Sequence, residues 1–382
     1  MSTIRLTNKT YTFEALTHQP ETIDWDALNP YEVEVLQFCR QWVSGQETFV
    51  VHTSGSTGKP KDIVLSRAQM QHSAHLTGQA LGLQAGDKAL VCLAVWYIAG
   101  MMMLVRGFEL GLSLTVIEPT SNPFHDFSDD TIFHFAAFVP LQLQHILTDS
   151  ADKIPLLNRM KAILVGGAPV SVALRAQLQN ITAPVYHTYG MTETITHIAL
   201  KRLNGPDQSD FFRPLPGVQL GLNERGCLTI QSALTDGETL YTNDRVDLRA
   251  DGSFKWLGRI DHVINSGGVK VQIEQVEAAL DQVFQDHAAE NLGQRRFFVG
   301  PVSHERLGQA VIAVIEGTPF SAKTESSIRA ALLNVLPKYE MPQRFYFFNK
   351  LLETPTGKID RLANLKKLPQ VSDKAIDTAK KE

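Results

Sequence analysis

Cysteine is scarce in this chain: Cys39, Cys92 and Cys227 are the only three in 382 residues, widely spaced and without a CxxC pair. That excludes a disulfide framework and a structural zinc site, and makes the reducing cytoplasm the expected compartment. A secretory leader is not indicated either, because the first 30 residues carry Asp24 and Asp26 and lack an apolar core. Neither sign of charge dominates. With 36 basic against 40 acidic residues the formal charge is −4, which argues against a broad nucleic-acid-binding surface. Internal repeats and low-complexity tracts are absent. Long hydrophobic runs reduce to one: residues 89–105, ALVCLAVWYIAGMMMLV, uncharged between Lys88 and Arg106. As a helix it would span ~26 Å, short of a ~30 Å hydrocarbon core. It reads instead as a buried strand followed, from Gly100, by a packed helix.

What is present is an ordinary globular composition, 43% hydrophobic and 20% charged, in a chain long enough for two or three domains of ~100–200 residues. Strand-like runs at 48–53, 114–117, 132–139, 162–165 and 184–187 alternate with helical stretches at 31–43, 66–80 and 170–179. Ser66 followed by Gln69 is a capping-box signature for the second of these helices. The alternation predicts a layered α/β body with mostly parallel strands. From about Gln219 short strands take over, with Asp251-Gly252 as a turn signal. After Arg259 comes a second compact unit. It has a helix from about Glu274, carrying Ile273, Val276, Leu280 and Val283 on one face, and another over 326–336 with Ile328, Leu332 and Val335. The expected organisation is a large multi-layer α/β domain over residues 1–260, including a small β subdomain. A smaller mobile α+β domain over 261–368 and a polar tail over 369–382 follow.

The strongest chemical signal is TSGSTGKPK at 53–61. Its glycines allow close backbone approach, and its hydroxyls and lysines supply donors and positive charge, as a polyphosphate requires. It is not a Walker A loop, since Gly55 and Gly58 are too close and Pro60 follows Lys59. Placed between a buried strand and a capped helix, it resembles the phosphate loop of the adenylate-forming superfamily, which includes acyl-CoA synthetases and luciferase-like enzymes. The resemblance implies that Thr53, Ser54, Gly55, Ser56, Thr57, Gly58, Lys59 and Lys61 hold the ATP phosphates.

Further segments resemble that superfamily in the same order along nearly the whole chain. GGAPV at 166–170, with Gly167 and Ala168, is similar to its adenine-side loop. YGMTE at 189–193 is similar to the segment whose tyrosine stacks on adenine, here Tyr189, with Gly190 and Met191 beside it. The resemblance gives Thr192 the α-phosphate and Glu193 the Mg²⁺, an aromatic face for a base and a hard oxygen for a hard cation. Asp244 in YTND resembles the acceptor for both ribose hydroxyls, matching an ionised carboxylate that only accepts. In GRID, Arg259 resembles the ribose and phosphate contact and Asp261 the hinge between domains. SGGVK at 266–270 resembles the loop that enters the site for thioester formation, with Gly267, Gly268 and Lys270. PTGKIDR at 355–361 resembles the closing motif, in which Lys358 is the adenylation lysine.

The implied chemistry has two half-reactions: a carboxylate displaces pyrophosphate from ATP to give an acyl-adenylate, then a thiol, coenzyme A, displaces AMP. Two departures stand out. The phosphate loop begins at residue 53, where the family usually has over a hundred preceding residues. An aromatic-His pair found in many members is replaced by Trp96-Tyr97. The compact length and residues 96–106 are similar to the short o-succinylbenzoate–CoA ligases of menaquinone biosynthesis. That implies an aryl dicarboxylate with Arg106 and Tyr97 at the acyl pocket. Arg106 reads equally well as an arginine snorkelling from a buried helix. Other readings are a ligase for another aryl or fatty acid, transfer to a carrier protein, and an inactive nucleotide-binding scaffold.

Overall fold

The computed structural model describes residues 3–6, 9–18, 23–52, 62–287, 292–354 and 358–368. The loop at 53–61 and the tail at 369–382 lie outside the described residues. The chain opens with β1 (Thr3–Leu6), β2 (Lys9–Thr12), α1 (Phe13–His18) and α2 (Pro30–Val43). α2 falls on the predicted stretch because its start is capped. Asn29 accepts from the Glu32 amide at 2.9 Å, the Glu32 carboxylate accepts from the Asn29 amide at 3.1 Å, and Pro30 has no N–H to satisfy. β3 (Thr48–His52) and β4 (Asp62–Ser66) form an antiparallel ribbon on either side of residues 53–61. α3 (Arg67–Leu81) then starts on the predicted capping box between Ser66 and Gln69.

The α/β body continues through β5 (Lys88–Val91), α4 (Ile98–Leu110), β6 (Ser113–Val116), β7 (Phe135–Phe138), α5 (Pro140–Asp149), α6 (Ile154–Asn158), β8 (Ala162–Val165), α7 (Val172–Gln177) and β9 (Val185–Gly190). β10 (His197–Arg202) and β11 (Arg213–Pro214) then return antiparallel. Together they make a nine-stranded sheet in the order β11-β10-β9-β8-β7-β5-β6-β1-β2, parallel from β9 through to β1. The interior strands are short apolar runs such as AILV and KALV, as expected where helices cover both faces. The run at 89–105 divides into strand and helix as predicted, with the strand stopping at Val91 and the helix starting at Ile98, two residues before Gly100. Gly100 is required there, because a Cβ would lie 2.3 Å from the Ala94 carbonyl oxygen. No helix among the described residues is long and apolar enough to cross a membrane.

β12 (Gln219–Leu222), β13 (Cys227–Gln231), β14 (Thr239–Leu248) and β15 (Phe254–Arg259) form a four-stranded antiparallel sheet where the small β unit was expected. The remainder comprises β16 (Val263–Ser266), β17 (Val269–Gln272), α8 (Ile273–Asp286), β18 (Phe297–His304), β19 (Gly308–Glu316), α9 (Ala322–Leu333), β20 (Arg344–Phe348) and α10 (Arg361–Lys366). Ile273, Val276, Leu280 and Val283 of α8 are all buried, as their spacing predicts. α9 differs from the sequence reading: Ser321 caps it, so it begins earlier, and Val335 lies past its end and is 55% exposed. Its buried stripe is Thr324, Ile328 and Leu332. The buried members of the apolar clusters fall into two sets, one ending at Phe254 and one starting at Ile264.

Candidate active site

In open parallel sheets ligands bind beyond the carboxyl ends of the strands. The loops after β8 and β9 fill that position with residues 166–170 and 190–196. Two glycines fit the close passage of these loops. A Cβ on Gly166 would stand 2.2 Å from Thr188 Oγ1, and one on Gly190 would stand 2.2 Å from the Thr196 carbonyl oxygen. After Met191, a 3-10 turn over Thr192–Thr194 is pinned by its last side chain: Thr194 Oγ1 accepts from the Met191 amide at 3.0 Å and lies 2.8 Å from the Thr196 carbonyl oxygen. The next residue, Ile195, has φ 64° and is 1% exposed, with the Thr196 amide donating to the Thr194 carbonyl at 2.7 Å. A β-branched residue in a γ-turn of this hand costs about 1–3 kcal/mol and persists only where its surroundings impose it. The turn leaves Thr192 half-buried and Glu193 exposed.

Tyr189 sits at the end of β9 with its ring edge-on to Phe254, centroids 5.0 Å apart. Its hydroxyl donates to Asp244 Oδ2 at 2.5 Å. Burial, then the Asp244 charge, push that hydroxyl far above the usual phenol range. Asp244, 7% exposed, reaches this position because β14 lies beside β15, where its register partner is Arg259. The Arg259 guanidinium forks onto Asp261, Nε to Oδ1 at 2.9 Å and an Nη to Oδ2 at 2.7 Å. That hydrogen bond holds the Asp261 carboxyl below its ordinary range. The structure therefore brings Tyr189, Asp244, Arg259 and Asp261 into one chain of contacts.

Arg106 is 3% exposed, so its guanidinium does not snorkel to water. One Nη donates to Thr196 Oγ1 at 3.4 Å and the other approaches Met103 Sδ at 3.7 Å, while Nε has no partner. Burial pushes its pKa down to about 10. Around it lie Thr196, which shares a 2.7 Å hydrogen bond with Ser73, and His197, whose Nε2 is 3.3 Å from Thr77 Oγ1. Burial, then the Arg106 charge, push His197 down to about 3, so it is neutral. Among the described residues no carboxylate pairs with Arg106. The cation sits among hydroxyls and a thioether without a described counter-ion, an arrangement that costs the fold stability. Tyr97 stands at the N-cap position of α4, half-buried beside Trp96 at 6.2 Å.

In the C-terminal part, Ser266 pairs with Val269 across β16 and β17, so Gly267 and Gly268 form a two-residue hairpin turn. Their φ values of 60° and 85° are those such a turn requires. Both glycines and Lys270 are exposed. Lys358 is partly buried, and desolvation lowers its pKa. No hydrogen bond or ion pair among the described residues links Lys358 or Lys270 to Thr192, Glu193 or Asp244. The phosphate-loop residues Thr53 to Lys61 lie outside the described residues. Glu193 is a single exposed carboxylate, which fits a magnesium ion that takes its other ligands from water and phosphate oxygens.

Sequence reasoning missed His187, Lys201, Ser73, Thr196 and His197. His187 lies two residues before Tyr189 and so on the same face of β9, the one signal that pointed to it. Burial, then the Lys201 charge, push it down to about 3. Lys201, its register partner on β10, sits 4.6 Å over the Phe212 ring and is pushed down to about 8 by burial, then by Arg175.

The family described as AMP-binding enzyme matches residues 9–227. The 2-succinylbenzoate–CoA ligase of Lactococcus lactis subsp. lactis (strain IL1403) is 26% identical over 329 residues, covering 82% of this chain and 69% of that protein. A crystal structure of an acyl-CoA synthetase (AMP-forming)/AMP-acid ligase II-like protein from Dyadobacter fermentans DSM 18053 is 46% identical. It covers 89% of this chain and 95% of that one, with a TM-score of 0.59. The o-succinylbenzoate CoA synthetase of Bacillus subtilis, solved with its acyl-adenylate intermediate, shares the fold at TM-score 0.67 and 21% identity, covering 85% of this chain and 69% of that one. With the family matched over more than half its length, the chain belongs to the AMP-binding enzymes.

Proposed function

We propose that this protein is an ATP-dependent, AMP-forming acid–thiol ligase. It joins an aryl dicarboxylate of the o-succinylbenzoate class to coenzyme A, a step of menaquinone biosynthesis. The observation that carries the substrate class is Arg106, a buried guanidinium with no counter-ion among the described residues and an unpaired Nε, held against Thr196. A substrate with one carboxylate to activate and a second to pair with that cation satisfies both ends of the site. The names of relatives such as the Lactococcus ligase support the same class.

In this reading Tyr189 and residues 166–170 flank adenine, and Asp244 accepts from the ribose diol through the lone pairs that the Tyr189 hydroxyl leaves free. Arg259 contacts ribose and phosphate, and residues 53–61 hold the β and γ phosphates. The substrate carboxylate oxygen attacks the α-phosphorus, the bond to the bridging oxygen breaks, and pyrophosphate leaves with the electron pair. Thr192 and Lys358 stabilise charge on the α-phosphate and the leaving group. Magnesium, held by Glu193, would supply neutralising charge at the phosphates. Residues 261–368 then turn about Asp261, withdrawing Lys358 and presenting Gly267, Gly268 and Lys270. A thiolate attacks the mixed anhydride, the thioester forms and AMP departs.

The test is carboxylate-dependent exchange of labelled pyrophosphate into ATP across a panel of acids. Exchange fastest with o-succinylbenzoate supports the reading. A preference for monocarboxylates would overturn the substrate class and leave adenylation standing.

A further inference from the structure

One hydrogen bond crosses from the C-terminal unit to the nucleotide side of the large one, away from the hinge. The Asp281 carboxylate, on α8, accepts from the backbone amide of Val172 at 2.7 Å. Val172 opens α7 two positions after residues 166–170, the segment read above as flanking adenine. The Asp281 carboxyl is partly desolvated, which raises its pKa, and the Val172 amide acts in the opposite direction.

The start of the same helix is anchored at the hinge. Glu274 lies 2.8 Å from His262 Nδ1 and accepts from Gln272 Nε2 at 2.5 Å, and Gln272 Nε2 also donates to the Arg259 carbonyl oxygen at 2.8 Å. Seven residues, close to two helical turns, separate Glu274 from Asp281, so both project from one side of α8 about 10.5 Å apart. A turn of only ~10° about the hinge end would carry Asp281 by ~2 Å, beyond hydrogen-bond reach of Val172. The contact therefore belongs to one orientation of the C-terminal unit. In it Gly267, Gly268 and Lys270 are exposed to solvent and not enclosed against the large unit.

We propose that Asp281 is a positioning residue: its hydrogen bond to the Val172 amide holds the C-terminal unit in the orientation that precedes thioester formation and ties that orientation to the adenine-side loop. Releasing the bond frees the turn that presents Gly267 and Gly268. The proposal rests on the two-orientation reading above.

The experiment uses the full chain and measures two rates separately, acyl-adenylate formation from acid and ATP, and thioester formation from supplied acyl-adenylate and coenzyme A. Asp281→Ala is expected to lower the ratio of the first rate to the second by about tenfold, the weight of one charge-assisted hydrogen bond. Asp281→Asn keeps a neutral acceptor for the Val172 N–H, preserves the shape, and should fall between. Lys358→Ala, run alongside, tests the underlying reading by itself. If Lys358→Ala separates the two rates while Asp281→Ala leaves their ratio unchanged, raises it, or slows both equally, the role of Asp281 is overturned. If Lys358→Ala fails to separate them, the two-orientation reading falls, and this proposal with it.

Discussion

Arg106→Leu is expected to make the protein more stable and a worse enzyme for its dicarboxylate. Burial depresses the guanidinium from its ordinary range to about 10. At ~1.4 kcal/mol for each tenfold change in proton affinity, holding the charge there costs the fold on the order of 3 kcal/mol. A base with a depressed folded-state pKa carries this cost in full below about pH 10 and sheds it only as pH rises above that towards the ordinary guanidinium range, so it is present at neutral pH. Leucine removes the charge and fills part of the same space, at the loss of the 3.4 Å contact to Thr196 and the packing against Met103. The net expectation is a gain of about 1–3 kcal/mol, within the ~1–4 kcal/mol reached when buried ion pairs give way to apolar side chains. Recognition moves in the opposite direction. A spectator carboxylate left without its cation costs about 3 kcal/mol or more, roughly 150-fold in kcat/KM, most of it in KM. The assay pairs denaturant melts with steady-state kinetics on o-succinylbenzoate and on an analogue lacking the ring carboxylate. The analogue should be used about equally by both forms. A variant that is destabilised by several kcal/mol and slowed equally on both acids would make Arg106 a structural residue and refute the reasoning.

Other parts of the site give separate expectations. Lys358→Ala should abolish adenylate formation and largely spare thioester formation from supplied acyl-adenylate, and rapid-quench measurement of each half-reaction checks this. Asp244→Ala removes the ribose acceptor and the partner of the Tyr189 hydroxyl, and should weaken ATP binding by ~1.5–3 kcal/mol in calorimetry on a folded variant. His197 is buried neutral with a pKa of about 3, against 6.5 when unfolded, so the unfolded chain binds the extra proton between these values. Its share of stability is complete above about pH 6.5 and declines as pH falls towards 3, at up to ~1.4 kcal/mol per pH unit. Urea melts of His197→Gln should show a correspondingly flatter acid limb.

Much of the α/β body was legible because its signals are local. The reciprocal cap of Ser66 and Gln69 and the period of Ile273, Val276, Leu280 and Val283 need no partner from elsewhere in the chain. The long strands β18 and β19 were not seen: their burial comes from pairing with each other and with β20, so their residues carry no clean alternation. Val335 was misplaced because the Ser321 cap sets α9 earlier than its apolar spacing implied. At the site, motif residues such as Tyr189 and Asp244 could be singled out, but their direct hydrogen bond, made across 55 positions, could not. Arg106 had two readings in sequence because snorkelling and burial differ only in which way the side chain points. The hydroxyls of Ser73 and Thr196 carry no signal until α3 and β10 bring them together.

The central claim is that this crevice activates a carboxylate by attack on the α-phosphorus of ATP. Its most direct test labels both oxygens of the reacting carboxylate with ¹⁸O and follows the label by mass spectrometry through a complete turnover with ATP and coenzyme A. The account predicts AMP carrying one ¹⁸O atom, unlabelled pyrophosphate, and a thioester retaining the other ¹⁸O. Label in orthophosphate or pyrophosphate, or ADP as the nucleotide product, would contradict it.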